Sequence, residues 1–543
     1  MTEPRLPRAL PFIILCAGTA AIFLIGLGRL PLFGRDEALY AESGREMLAT
    51  GDWITPQVNG GPFFEKPPLY YWLAAASYRA FGVTPFAARL PAALMAILTV
   101  VLVAQIGARV WGRRAGLLAG LALATCLQMA MIGRMGIMDV PLTCLTVLAV
   151  LAYERWRCGN GLAGAALFGI CLGSAVLLKG AAGLVPLGVA AADSLVRVLL
   201  KERLGRPVAV SALTLLLAAG IAAALASPWF IIMSSRHGAA FGSTLFLHEH
   251  LRRVLQPMQG HGGPLWIYLP LIAVSFFPWV VFLPPAVVCS DEGSDQARSW
   301  RVLCIVWIAV VLIPFSLIST KLPGYVTPLF PPMALLVGAE LAQGGRRRSW
   351  VALLIGALVL GALAALLPAA AAKMGQRVGA SDEARLLTAP ALIWVAGYLV
   401  IAFAAAAVLL CRFRNPVEML VLGQVAAMVA LLFGVLPVLS PYLGGGSSGL
   451  AELARRELPA SRIVLYQTHP ENVNFVLQRP VPTYDQHQQQ QLVDQLRTAP
   501  TALIAPAKDS AFWSSLPARH TWRLGDSVLL DIPKMSYRPE ASP

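Results

Sequence analysis

Long apolar runs separated by short polar loops organise most of this chain. Runs at 11–29, 86–108, 115–133, 140–153, 161–178, 181–200, 208–233, 265–289, 302–319, 325–342, 350–371, 390–411 and 417–440 stand out. Most have the length of a helix that crosses a ~30 Å hydrocarbon core. They predict a mainly α, polytopic membrane protein of about thirteen transmembrane helices. The total shifts by about one or two with the treatment of the short run 140–153 and of the pair parted only by Lys179-Gly180. Arg5 and Arg8 ahead of the first run resemble a signal peptide, but no small-residue cleavage site follows, so a retained span is expected. The stretch 68–82 is too short to cross and carries Tyr70, Tyr71, Trp72 and Tyr78, which predicts an interfacial helix.

The pattern changes after 440. A Gly444–Ser448 linker leads into ordinary soluble patterning, helical over 451–458 and 488–496 and strand-like over 462–466, 501–505 and 527–530. We expect a transmembrane domain over 1–440 and a small soluble α/β domain over 441–543.

Charge placement orients the chain. With the N-terminus inside, alternate loops carry Arg109/Arg113/Arg114, Arg155/Arg157, Lys201/Arg203/Arg206, Arg298/Arg301, Arg346/Arg347/Arg348 and Arg412/Arg414, all on one side. The opposite side receives 30–85, 134–139, Lys179, 234–264, 321–324, 373–389 and the C-terminal segment. Composition agrees with a membrane protein: 57% hydrophobic and 13% charged residues, with a mean hydropathy of +0.67, against about a quarter charged in soluble proteins. The net charge of +15 would fit a nucleic-acid partner, but topology accounts for the basic clusters and no nucleic acid is expected. The eight cysteines lie in or beside apolar runs without CxxC spacing, against a disulfide framework or structural zinc.

The candidate chemistry belongs to the outer loops. Asp36 and Glu37 follow the first span, and Tyr40 lies one helical turn beyond Asp36. On these residues alone, a solvated juxtamembrane helix is an equal reading. Glu65 and Lys66 sit between Phe63-Phe64 and Pro67-Pro68 at interface depth, where an unpaired charge is costly unless it serves a ligand or anchors to headgroups. Asp139 opens the run at 140–153, His248, Glu249, His250, Arg252 and Arg253 form a later cluster, and Lys321 and Tyr325 flank a short crossing. His248 and His250 point apart on a helix, so a zinc site from them with Glu65 is weakly specified but stays open. Carboxylates on this face suit transfer through an oxocarbenium-like centre, and the cations suit a phosphate.

At these residues a resemblance becomes specific. Gly34-Arg35-Asp36-Glu37 to Tyr40, Gly51-Asp52-Trp53, Asn59-Gly60 and Phe64-Glu65-Lys66-Pro67-Pro68 resemble the lipid A aminoarabinose transferases. So do Glu249-His250 with Arg253, His261 with Pro264-Leu265-Trp266, and Lys321-Leu322-Pro323 with Tyr325. These belong to the GT-C membrane glycosyltransferases, alongside the protein O-mannosyltransferases. The resemblance implies a GT-C bundle that moves 4-amino-4-deoxy-L-arabinose from undecaprenyl phosphate to a lipid A phosphate. It places the reaction at the periplasmic face of the bacterial inner membrane and makes polymyxin resistance the consequence.

It also implies catalytic Asp36, to which our reading of the outer loops adds Asp139 and Glu65 as further acids. Lys66, Arg253, Lys321, Tyr325, Tyr40 and Arg252 would bind substrate. No cofactor is required on this reading, zinc staying open, and a monomer among membrane lipids is expected. A related transferase with a hydroxyl acceptor is the nearest rival. A transporter or flippase would instead show midplane charges and repeated broken helices.

Overall fold

The computed structural model describes residues 9–343 apart from 33, 160, 200–211, 259–261 and 289–293, then 423–425, 428, 429, 431 and 432, and 446–535 apart from 508, 509, 525 and 526. The runs expected at 350–371 and 390–411, nearly all of 417–440, the 373–389 loop, His261, the side chain of His250, and the basic clusters at 5–8, 201–206, 346–348 and 412–414 lie outside the described residues.

The chain is a multi-pass membrane protein. Among the described residues, Pro85–Trp111, Gly161–Leu199, Ala212–Leu255, Asp295–Leu317 and Pro323–Gln343 are long and apolar enough to cross a bilayer. The expected run 265–289 is instead a pair of short helices bent by 107°. The first run forms α1 (Leu10–Leu24). The next elements are α2 (Gly34–Thr50) and a hairpin of β1 (Gln57–Val58) and β2 (Gly61–Pro62), leading to α3 (Leu69–Phe81). Helix α4 (Pro85–Trp111) starts where its sequence says it should: the Thr84 side chain accepts from the Ala87 amide at 3.2 Å and Pro85 occupies the first turn. The run expected over 115–133 is broken at Thr125-Cys126 into α5 (Arg113–Ala124) and α6 (Leu127–Ile132).

Three antiparallel segments follow: α7 (Asp139–Arg157), α8 (Gly161–Lys179) and α9 (Val185–Leu199). Lys179 pairs with Asp139 at the start of α7, whereas Asp193 of α9 bonds Tyr153 near its end. The chain therefore reverses at Gly180, as the two separate runs predict. Then come α10 (Ala212–Gly242), a wide π-helical stretch Ser243–Arg252, and α11 (Arg253–Leu255). The bent pair is α12 (Tyr268–Ser275) and α13 (Leu283–Val288), and α14 (Asp295–Leu317) and α15 (Phe330–Gln343) close the bundle. Its core mixes small and large side chains, with Ala93, Ala96, Val100, Ala119, Ala122 and Trp307 fully buried.

Helix α2 differs from the solvated alternative. Glu37 through Met47 are buried continuously, because α3, the hairpin and the C-terminal unit surround them. Helix α3 is short, as expected, but its tyrosines turn inward: Tyr70 donates to the Ala88 carbonyl and Tyr78 to that of Ala41, each at 3.1 Å.

The C-terminal unit is α/β. Strands β3 (Arg462–Tyr466), β4 (Thr483–Tyr484), β5 (Thr501–Pro506), β6 (His520–Leu524) and β7 (Ser527–Ile532) form one sheet in the order β4-β3-β5-β7-β6. Strand β3 runs parallel to β4 and β5, while β7 is antiparallel to β5 and β6. Around it lie α16 (Gly446–Glu457), α17 (Pro470–Leu477) and α18 (Gln489–Leu496). Part of the expected linker is corrected: Gly446, Ser447 and Ser448 form the buried first turn of α16. Helix α17 docks on α2, with Phe475 against Tyr78, the Asn474 amide on the Asn59 side chain, and Arg45 donating to the Gln478 carbonyl at 3.4 Å.

One buried pair locks the start of α2. Arg89 of α4 reaches Glu37 at 2.8 and 3.0 Å and donates to the carbonyls of Leu27, Leu30 and Pro31. Glu37 also accepts from the Gly136 amide at 2.7 Å. Removing one partner of such a pair leaves an uncompensated buried charge, which costs about 3–5 kcal/mol. Arg89→Ala is expected to lower the melting temperature in detergent sharply, and an unchanged melt would contradict this role.

Candidate functional site

At the end of the bundle where α2 begins, several of the loop residues meet. Asp36 lies in the first turn of α2, exposed, with no ion pair or hydrogen bond to any described residue. Its neighbour Glu37 points inward to Arg89, which fixes the helix start and so leaves Asp36 facing out of the bundle. Tyr40, one turn on, is buried against Tyr70 and Tyr71 with ring centroids 6.3 and 6.0 Å away. Burial holds its phenol well above the usual range, and Asp36, Tyr71, Asp139 and Glu65 push it further. Tyr71 is raised in the same way by burial and by Glu65, Asp36 and Glu249, and its hydroxyl has no partner among the described residues. One space thus brings together acids from three separate segments.

Asp139 is the first residue of α7 and is paired with Lys179 at 2.6 Å. A Cβ on Gly324 would lie 2.3 Å from its Oδ1, so glycine is what permits the 323–329 turn to approach this carboxylate. That turn supplies Tyr325, whose ring lies 5.7 Å from the Lys179 ammonium. The Tyr325 hydroxyl accepts from Arg253 at 3.3 Å.

The cations of two distant segments converge on one carboxylate. Lys66, just before α3, lies 2.6 Å from Glu249 Oε2, and Arg253 lies 2.9 Å from the same atom. Burial lowers the pKa of Lys66, against the opposing pull of Glu249. The Nε of Arg253 is buried without a partner among the described residues, a donor still free for an anion. Glu65, half-buried beside this group, has no ion pair among the described residues.

Other candidates lie apart. Lys321 turns away from the acids and donates to the carbonyls of Phe315, Ser316 and Ile318, capping the C-terminus of α14. Arg252 is exposed and lines an open groove of about 650 Å³ with Ser243, His248 and Gln256. His248 faces Glu249, with Nδ1 3.4 Å from Oε1. Among the described residues, no group of three His, Cys, Asp or Glu side chains converges to hold a metal ion.

The sequence places Glu249 in a candidate cluster without giving it a role, and it does not mark Lys179, Tyr71 or Gly324 as site residues. The i,i+4 spacing of Glu249 and Arg253 and a lone lysine between two apolar runs were the available signals.

Comparison with known proteins sets these residues in a family. The family model for dolichyl-phosphate-mannose-protein mannosyltransferases matches residues 27–236, which include Asp36, Glu65, Lys66 and Asp139. An undecaprenyl phosphate-alpha-4-amino-4-deoxy-L-arabinose arabinosyl transferase of Pseudomonas aeruginosa is 30% identical over 428 residues, covering 77% of this chain and 74% of that protein. The chain belongs to this arabinosyl transferase family. The enzyme of the same name from Aeromonas hydrophila is 29% identical over 359 residues, and the chain spans 64% of its length. The fold matches the crystal structure of ArnT from Cupriavidus metallidurans bound to undecaprenyl phosphate, with a TM-score of 0.76 and 21% identity over 96% of this chain and 98% of that one. An oligosaccharyltransferase, AglB of Archaeoglobus fulgidus, shares the fold more distantly, with a TM-score of 0.51 and 13% identity over 92% of this chain and 69% of that one.

Glu65 gives the site a pH signature. Burial and then the Glu249 carboxylate raise its pKa above the ordinary 4.5, against the pull of Lys66, Arg35 and Arg253. An acid raised in the folded state contributes stability that is full below its unfolded pKa and is lost as pH rises through the folded value. Wild type should therefore lose melting temperature relative to Glu65→Gln as pH climbs above 4.5. Parallel profiles would show that the carboxyl is not held in a raised state.

Proposed function

We propose that this protein transfers 4-amino-4-deoxy-L-arabinose from undecaprenyl phosphate to a phosphate of lipid A at the periplasmic face of the bacterial inner membrane. The observation that carries the reading is the meeting of Lys66 and Arg253 on a single anion, the Glu249 carboxylate, at one end of an apolar bundle, with Glu65 beside them and Asp36 and Asp139 near the neighbouring Tyr40. An amphiphile with a polyprenyl tail and a phosphate head suits that arrangement: the tail belongs beside the lipid-facing helices and the head belongs between two cations. The names of the arabinosyl transferase relatives give the sugar and its carrier.

On this reading the acceptor phosphate oxygen attacks the anomeric carbon with inversion. The bond from that carbon to the donor phosphate breaks, and its electron pair leaves with undecaprenyl phosphate. Lys66 and Arg253 stabilise the charge that builds on the departing group, and Tyr325 holds the Arg253 guanidinium. The acceptor is already anionic near neutral pH, so no strong general base is needed. Asp36 orients the acceptor or the sugar amine, and Asp139, anchored by Lys179, shapes the opposite wall. The displacement needs no metal, and the enzyme works as a monomer among membrane lipids.

A hydroxyl acceptor, favoured only by the mannosyltransferase family match, would instead require Asp36 as a base. Mass spectrometry of lipid A from cells with and without the protein separates the two, because only the first reading adds a pentosamine to lipid A. Asp36→Asn, expressed at the wild-type level, is expected to lower that addition by at least about a hundredfold. Near-normal addition would remove Asp36 from the chemistry. Reporter fusions after Arg348 and after Gly446 should give opposite signals, the second extracytoplasmic, and matching signals would refute the orientation.

A further inference from the structure

Glu249 stands where an incoming phosphate oxygen would stand. Its Oε2 lies 2.6 Å from Lys66 Nζ and 2.9 Å from Arg253, the spacing of charge-assisted hydrogen bonds to an anion. Its side chain is only 2% exposed, although it belongs to a stretch whose neighbours His248 and Arg252 line an open groove. Lys66 and Arg253 come from segments far apart in sequence, and each would be a buried, poorly compensated cation without the anion they share. Glu65 lies close enough to feel Glu249 as a like charge, so the four groups form a balanced set of two acids and two bases.

We infer that Glu249 is a positioning residue that occupies the donor phosphate position as a resident, exchangeable anion. It holds Lys66 and Arg253 in register before the donor arrives and is displaced by it. The inference rests on Lys66 and Arg253 being the donor phosphate site. A phosphate oxygen that takes the place of Oε2, 2.6 Å from Lys66 and 2.9 Å from Arg253, has to move that carboxylate oxygen out, because two anionic oxygens cannot share one position. The exchange is nearly balanced for the donor: a sugar-bearing phosphodiester carries one negative charge, as Glu249 does. Undecaprenyl phosphate is a monoester of about −1.5 to −2 charge at neutral pH, so the cations hold it more firmly than they hold the donor. The return of Glu249 between them then competes directly with the bound product. His248, 3.4 Å from the other carboxylate oxygen and half-exposed, marks the side to which the displaced carboxylate withdraws.

The test is binding of undecaprenyl phosphate to the purified full chain in detergent, with thermal melts confirming that each variant is folded. Removing a competing anion should strengthen binding, the opposite of what loss of a structural contact would do. Glu249→Gln is expected to tighten binding by about tenfold, the equivalent of one charge-assisted hydrogen bond no longer contested. Glu249→Asp, whose shorter side chain bridges less well, should shift affinity in the same direction by a smaller factor and keeps the test informative if the Gln variant fails to fold. Lys66→Ala serves as the control and should weaken binding. Unchanged or weaker binding in the Glu249 variants, with Lys66→Ala still weakened, would overturn the role of Glu249 alone. Unchanged binding in Lys66→Ala would overturn the phosphate site itself and this inference with it.

Discussion

Arg89 is the point on which the end of the bundle that carries Asp36 and Asp139 depends. Its guanidinium lies in a low-dielectric interior where an unpaired charge would be prohibitive. It is satisfied by Glu37 and by the carbonyls of Leu27, Leu30 and Pro31. Those partners span the connection from α1 to α2 and the first turn of α2. Through Glu37 the same pair reaches the Gly136 amide, just before Asp139 opens α7. Asp36 and Asp139, far apart in sequence, are thus set by one ion pair that touches neither.

The same rule shapes the rest of the site. At the edge of an apolar bundle, a charge is tolerated where a partner lies within hydrogen-bond reach. Asp139 has Lys179, and Lys66 and Arg253 share Glu249. Lys321 is consumed by the carbonyls at the end of α14. Asp36 and Glu65 are the acids of this group left without an ion pair among the described residues.

The C-terminal unit takes part in this order as well. Helix α17 packs on α2, and Asn474 holds Asn59 in the hairpin that precedes Glu65 and Lys66. Helix α2 is consequently buried from Glu37 to Met47 despite a polar sequence, and the hairpin is braced from outside. Glu46 adds a tie from within by accepting from the Gly60 amide at 3.2 and 3.1 Å.

Much of this was legible in the chain itself. Apolar run length specifies membrane crossing because hydrocarbon tolerates no unsatisfied backbone, and period and turn chemistry marked strands at 462–466, 501–505 and 527–530. The first-loop motif brought Asp36, Glu65 and Lys66 to notice. Tertiary structure decided what side-chain partnership requires. It alone shows that α2 is buried, since the covering elements are α3 and the remote α17. It breaks 115–133 at Thr125-Cys126, sends Lys321 to a helix end and leaves Arg252 on an open groove. It also sets Glu249 between Lys66 and Arg253. Residue type and local spacing report what a side chain can bond; which partner it meets is fixed by distances between segments up to 433 residues apart, and no local pattern encodes those.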